Sequence, residues 1–236
     1  TEASDALGID LWKMVTDGPD STLNQTFNTQ PALLAASTAV WRVVSKHSPA
    51  LNVTAGAGHS LGEYSALVAA DAIDFADAVR LVRRRGELME AAVPAGQGGM
   101  AAILGLNDEQ IVEVCEAASQ EGIVEPANFN APGQIVIAGE QAGIEKAIEL
   151  AKEAGAKRAL PLAVSGPFHS SLMKAAADTF AAGLEGIQWR APKFPVYHNV
   201  GNAPATLEEI PQRLLQQLYS PVNWTGAVEA VRSAAD

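Results

Sequence analysis

Over the first fifty residues apolar positions follow helical patterns, interrupted by Pro, Gly or Asn. The run "PALLAASTAVWRVV" begins on Pro31, whose fixed φ and missing N–H suit a helix's first turn, so a packing helix is predicted from there. The period then changes. Leu51 to Ala57 reads as a short apolar strand, "GHSLG" as a tight turn, and a new helix starts at about Leu61. A further helix is predicted over "DFADAVRLVRRRGELMEAA", capped by Asp74, with Phe75, Val79, Val82, Gly86 and Met89 on its apolar face.

From Met100 strands and helices alternate at short intervals. "GMAAILGL" reads as a strand, "NDEQIVEVCEAASQ" as a helix capped by Asn107, and "VEPANFNAPGQIVIAGE" as two strands around an Asn-Ala-Pro-Gly turn. An amphipathic helix, "QAGIEKAIELAKEAG", closes at Gly155 before a strand in "KRALPLAVS". Across roughly Gln97 to Ser165 the order is β-α-β-β-α-β, the ferredoxin-like order. "KFPVYHNV" as strand and "EEIPQRLLQQLY" as helix then resume the earlier α/β alternation. The expected fold is therefore α/β, with a parallel-sheet core from residues 1–96 and 166–236 and a compact small domain from residues 97–165. Helical patterns run up to both ends, beginning at Thr1 and finishing in "WTGAVEAVRSAAD", so an internal fragment of a longer chain is expected.

At 236 residues and 48% hydrophobic content, the chain can bury a sizeable core. Its longest apolar-looking run, "YSALVAADAI", is interrupted by Asp71 and falls short of the ~20 residues that a membrane-spanning helix needs. No membrane partner is expected. The lone cysteine, Cys115, lies in a helical pattern as a packing thiol, and with no basic-apolar leader the expected compartment is the cytoplasm. A net charge of −11, from 16 basic against 27 acidic residues, argues against nucleic acid, and any anionic ligand must meet a local basic patch.

The candidate chemistry starts in "AGAGHSLGEYSAL", where Ser60 sits between Gly58 and Gly62 at a predicted strand-to-helix turn. Glycines on both sides would permit the strained backbone, and the Leu61 N–H would face an oxyanion. A serine hydroxyl needs a base, and the chain offers four histidines. His59 is adjacent, but neighbouring side chains on a sharp turn diverge, and His47 falls in a predicted surface turn. Of the two that remain, His169 in "VSGPFHSSLMK" is favoured over His198 in "VYHNV", because a strand end, a Gly-Pro break and a new helix bring it to the sheet rim. Arg85 lies within roughly 50 degrees of the centre of its helix's apolar face, at about 100 degrees per residue, whereas Arg83 and Arg84 lie well off it. An inward guanidinium needs an anion. Either an internal carboxylate or a substrate carboxylate would satisfy it, and the pattern leaves both open.

Together these features resemble the malonyl-CoA:acyl carrier protein transacylases of bacterial fatty acid synthesis. The likeness spans nearly the whole chain and rests on "GHSLGEYSAL" from Gly58, "RGELM" from Arg85, "NFNAPGQIVIAG" from Asn128, "AKRALPLAVSGPFHSSLM" from Ala156 and "QLYSPVNW" from Gln217. The resemblance implies an α/β hydrolase-like core with a ferredoxin-like small domain. It also implies Ser60 as nucleophile, His169 as general base oriented by the Gln217 main-chain carbonyl, and Arg85 as the clamp on the malonyl carboxylate. Malonyl-CoA and acyl carrier protein would be the partners, with no metal and no cofactor. Family members open with a strand and a "GQGSQ"-type loop that supplies a second oxyanion amide; this chain begins after that segment, so impaired activity is expected of it as written. A basic docking patch for the acidic carrier is expected at Arg83, Arg84 and Lys174, and the "GPFHS" run points to malonyl over methylmalonyl. The competing readings are an acyltransferase domain of a polyketide synthase and a serine esterase or thioesterase, for which Arg85 would have no use.

Overall fold

The computed structural model describes residues 1–235. Three short helices, α1 (Glu2–Leu7), α2 (Leu11–Asp17) and α3 (Asp20–Leu23), lead into the long α4 (Thr26–His47). That helix begins upstream of the predicted start, leaving Pro31 inside it. Its first turn is polar and tethered: Asn28 Nδ2 donates to the Thr22 carbonyl at 2.8 Å and Thr29 Oγ1 to the Leu23 carbonyl at 2.6 Å. Side-chain bonds to the preceding helix therefore extend α4 beyond the apolar run from which its start was read.

The predicted strand at Leu51–Ala57 shrinks to β1 (Gly56–Ala57), followed by α5 (Gly62–Ala69) and α6 (Phe75–Ala91). Asp74 caps α6 through the Ala76 and Asp77 N–H groups. The predicted apolar face of α6 is buried, and Arg85 is buried with it. Gly86 matters for how closely α6 can pack: a Cβ there would lie 2.5 Å from the Phe27 Cα, so only glycine lets α6 lie this close to the start of α4.

Next come β2 (Gly98–Leu104), α7 (Asp108–Ala118), β3 (Val124–Ala131), β4 (Gln134–Glu140), α8 (Gln141–Glu153) and β5 (Arg158–Pro161), in the predicted order. Asn107 and Gln110 form a reciprocal capping box at the start of α7. Ile103, Ile135 and Ile137 pack on one sheet face against Ile111, Val114 and Ile144 of the two helices. Met100, Ala127, Val136 and Ala138 line the other face with Phe168. Cys115 is buried, and burial pushes its thiol up to about 12, so it is a packing group.

The chain closes with α9 (Lys174–Glu185), β6 (Val196–Tyr197), α10 (Ile210–Gln217), β7 (Val222–Asn223) and α11 (Trp224–Ala235). β6 pairs in parallel with β1, and this ladder stays short for a local reason. Pro195, whose carbonyl accepts from Gly56 N–H at 2.8 Å, has no N–H to donate, and His198 N–H turns back to the Ala203 carbonyl. The second sheet has the order β5-β2-β4-β3-β7, antiparallel except for the last pair. β7, in a stretch not read as a strand, joins β3 in parallel and so ties the two parts of the fold at Asn128 and Phe129. Among the described residues no helix is long and apolar enough to cross a membrane.

Candidate active site

Ser60 sits between β1 and α5 with φ of 52°, a left-handed backbone rarely adopted by residues other than glycine. The turn is possible because Gly58 passes against the Gly62 backbone, where any Cβ would overlap the Gly62 carbonyl carbon. Gly62 itself has open space where a Cβ would go. Of the two glycines expected to permit the turn, Gly58 is therefore the one whose lack of a side chain the crossing requires. The Leu61 N–H, next in the chain after Ser60, has no hydrogen-bond partner among the described residues.

The structure brings Ser60 and His169 together: Oγ lies 2.8 Å from Nε2. His169 follows the Gly166-Pro167 break and has φ of 62°, and the Ser170 hydroxyl bonds back to the Pro167 carbonyl at 2.7 Å, fixing the turn. Its Nδ1 lies 2.8 Å from the Gln217 carbonyl oxygen. A carbonyl only accepts, so Nδ1 carries the proton and Nε2 is left to accept from the serine hydroxyl. Burial, followed by the nearby Arg85 charge, depresses the imidazole to about 3, which keeps it neutral with Nε2 unprotonated.

That depression has a consequence for stability. The unfolded chain protonates this imidazole near the ordinary value of 6.5, whereas the folded chain resists protonation down to about 3. Unfolding therefore takes up a proton, and the contribution is fully present above 6.5 and lost as pH falls towards 3. Urea denaturation should show stability dropping over that window by about 1.4 kcal/mol per pH unit more steeply than in His169→Asn. Parallel curves for the two proteins would contradict this.

Arg85 is 1% exposed, the largest fully buried side chain of the described residues. Its NH1 donates to Gln30 Oε1 at 2.7 Å, and its NH2 to Gln217 Oε1 at 2.8 Å and to Ser60 Oγ at 3.1 Å. Nε is buried without a partner, and no carboxylate forms a salt bridge with this guanidinium among the described residues. The direct internal carboxylate left open by the sequence is therefore absent. A buried cation stands 3.1 Å from the serine oxygen on neutral partners alone.

The other predicted residues separate clearly. His198 is not at the serine; its Nδ1 lies 2.5 Å from Glu63 Oε1. His59 Nε2 is held 2.7 Å from Asn130 Oδ1, with its ring against Trp224, and His47 is exposed at the last position of α4. Arg83 and Arg84 both pair with Glu87, one carboxylate against two guanidinium groups, while Lys174 is exposed at the start of α9. Among the described residues no cluster of His, Cys, Asp or Glu could hold a metal.

Several contributors carried no motif signal of their own. Asn199 Oδ1 accepts from Ser60 N–H at 2.7 Å, and its Nδ2 donates to the Gly58 carbonyl at 2.7 Å, bracketing the turn. Gln217 was singled out for its main-chain carbonyl, yet its side chain also reaches Arg85, the Ser60 carbonyl and Glu63. Glu63 is fully buried. A carboxylate on the inner side of an apolar helix, three residues after the serine, was the available clue.

Comparison with known proteins shows the family. Residues 2–235 match the acyl transferase domain family. The malonyl CoA-acyl carrier protein transacylase of Haemophilus influenzae is 55% identical over 229 residues, covering 97% of this chain and 73% of the relative. That of Escherichia coli K12 is 53% identical over 232 residues, covering 97% and 74%. The crystal structure of an acyl carrier protein S-malonyltransferase from Vibrio cholerae superposes with a TM-score of 0.95 at 54% identity, covering 99% of this chain and 76% of that one. A malonyl-transacylase solved with its type II polyketide acyl carrier protein gives 0.96 at 53% identity, covering 99% and 76%.

Proposed function

The chain belongs to the acyl transferase domain family, and from that premise we propose that it transfers malonyl groups from malonyl-CoA to the phosphopantetheine thiol of an acyl carrier protein, supplying fatty acid synthesis. The observation that carries this reading is Arg85, buried 3.1 Å from Ser60 Oγ with only neutral partners. A malonyl ester on Ser60 would place its free carboxylate within reach of that guanidinium, which offers two parallel donors. A simple esterase has no use for such a clamp.

In the first half-reaction Ser60 Oγ attacks the thioester carbonyl as its proton passes to His169 Nε2. The Leu61 N–H donates to the developing oxyanion. The C–S bond then breaks, the coenzyme A sulfur takes the proton from His169, and a malonyl-serine ester remains. The second half runs in reverse with the carrier thiol: its proton goes to His169, sulfur attacks the ester carbonyl, and Ser60 Oγ leaves and regains the proton. The Gln217 carbonyl holds the imidazole in the tautomer that both halves require, and no metal or cofactor takes part.

The same reading divides the fold into an α/β hydrolase-like core of residues 1–96 and 166–236 and a ferredoxin-like small domain of residues 97–165. The β5-β2-β4-β3 order of the second sheet, with two helices on one face, supports the second part. Asp236 lies outside the described residues. A cytoplasmic location fits a chain whose single cysteine is a free, buried thiol.

The test is the fate of the acyl group. Isolated malonyl-enzyme mixed with pantetheinylated carrier protein should deliver its label to the carrier thiol. Release chiefly as free malonate, with carrier present, would favour the esterase reading and contradict transfer.

A further inference from the structure

Glu63 lies in the first turn of α5 with a side chain that is 0% exposed. A buried carboxylate is costly unless its oxygens are satisfied, and here three donors converge on it. His198 Nδ1 lies 2.5 Å from Oε1; the Asn199 N–H donates to Oε2 at 3.0 Å and Gln217 Nε2 at 2.8 Å. Two of these donors belong to residues that hold the reacting groups. Through its side chain Asn199 brackets Ser60 and Gly58. Through Gln217 the link reaches the Ser60 carbonyl at 3.0 Å, His169 Nδ1 at 2.8 Å and Arg85 NH2 at 2.8 Å.

The chemistry of the Gln217 amide makes this more than proximity. An amide has one donating and one accepting end, and an ionised carboxylate only accepts. Glu63, together with the Ser60 carbonyl that accepts from the same Nε2, therefore turns the Gln217 NH2 away from Arg85 and leaves Oε1 facing the guanidinium. Rotated by half a turn, the amide would present N–H groups to the guanidinium and an oxygen to the carboxylate, repelling both. The internal acid anticipated for Arg85 is thus present one amide away. It balances the buried cation at a distance and leaves the fork's neutral contacts exchangeable for a substrate carboxylate.

We propose that Glu63 is a positioning residue that fixes the orientation of the Gln217 amide, and so sets Arg85 for carboxylate selection and the Ser60 turn for attack. This rests on the transacylase reading above. It predicts a loss of selectivity as well as of rate. The two arms should differ: Asn199→Ala removes the bracket on the serine turn and one long 3.4 Å bond from Gln217 Nε2, whereas Gln217→Leu also releases Arg85.

The experiment is rapid-mix acylation of Ser60 by malonyl-CoA and, separately, by acetyl-CoA, using wild type, Glu63→Gln, Glu63→Asp and Gln217→Leu, with thermal melts on each. Glu63→Gln replaces an acceptor by an amide facing three donors. It should lower the saturated malonylation rate about tenfold or more and the malonyl-to-acetyl rate ratio about tenfold, with a smaller change in KM. Glu63→Asp should recover part of both. Adding Glu63→Gln to Gln217→Leu should cost little further selectivity, because the two act through one link. A folded Glu63→Gln with an unchanged ratio, or with equal losses for both acyl groups, would overturn the proposal. Should Glu63→Gln fail to fold, Gln217→Leu is read by the same ratio, and wild-type selectivity in it would overturn the proposal equally. Wild-type malonylation is the control: its absence would fail the transacylase reading, whereas its presence alongside an indifferent Glu63→Gln would fail only this one.

Discussion

Arg85→Ala is expected to lower malonyl transfer about a hundredfold to a thousandfold while reducing acetyl transfer far less. The guanidinium is fully buried, and among the described residues its partners are Gln30, Gln217 and Ser60, none of them an anion. In the malonyl-serine ester the substrate's own carboxylate would meet that charge through a fork of N–H donors, in surroundings where the attraction is little screened. An acetyl group brings no carboxylate and leaves the cation unpaired, which is how the site would reject it. Alanine removes the advantage of one substrate without removing nucleophile or base, so the ratio of the two rates is the informative readout. Equal falls for malonyl and acetyl would show that Arg85 supports the serine turn and does not select the acyl group.

The second large effect is at the nucleophile and its base. Ser60→Ala should abolish acyl-enzyme formation in a protein that still folds, because among the described residues Oγ makes two hydrogen bonds, with His169 and Arg85. His169→Ala should slow acylation by about 10² to 10⁴-fold, the range for removing a positioned general base. The imidazole is held at both ends, by Ser60 Oγ and the Gln217 carbonyl at 2.8 Å each, so its loss cannot be made good by a neighbouring histidine. His198 is committed to Glu63 and His59 to Asn130. Stopped-flow release of coenzyme A measures both variants, and near-wild-type acylation by either would remove that residue from the chemistry.

The residues at the centre of the site were legible because each carries a local signal. Ser60 and Leu61 stand in a strand-turn-helix pattern, Arg85 breaks an apolar helical face, and His169 follows a Gly-Pro break at a sheet rim. The small antiparallel sheet was legible for the same reason, since its elements follow one another closely along the chain. What escaped depends on contacts between distant positions. Glu63 and Asn199 are 136 residues apart and Gln217 and Ser60 157 apart, so nothing local told which side chains would converge beneath the serine. Pro31 misled because its own preference for a first turn says nothing of Asn28 and Thr29 anchoring the helix further upstream. That Arg83 and Arg84 share Glu87 follows from helical spacing, which places it alongside both. The short β1 follows from a proline on its partner strand, which a reading of Leu51–Ala57 alone does not contain.

The measurement that bears most directly on the central claim is intact-protein mass spectrometry after brief mixing with malonyl-CoA and, in parallel, with acetyl-CoA. A malonyl-sized adduct is expected, placed on Ser60 by peptide mapping and formed slowly or not at all with acetyl-CoA. The adduct should disappear when pantetheinylated carrier protein is added. An adduct on another residue, equal labelling by both thioesters, or no adduct at all would contradict the claim.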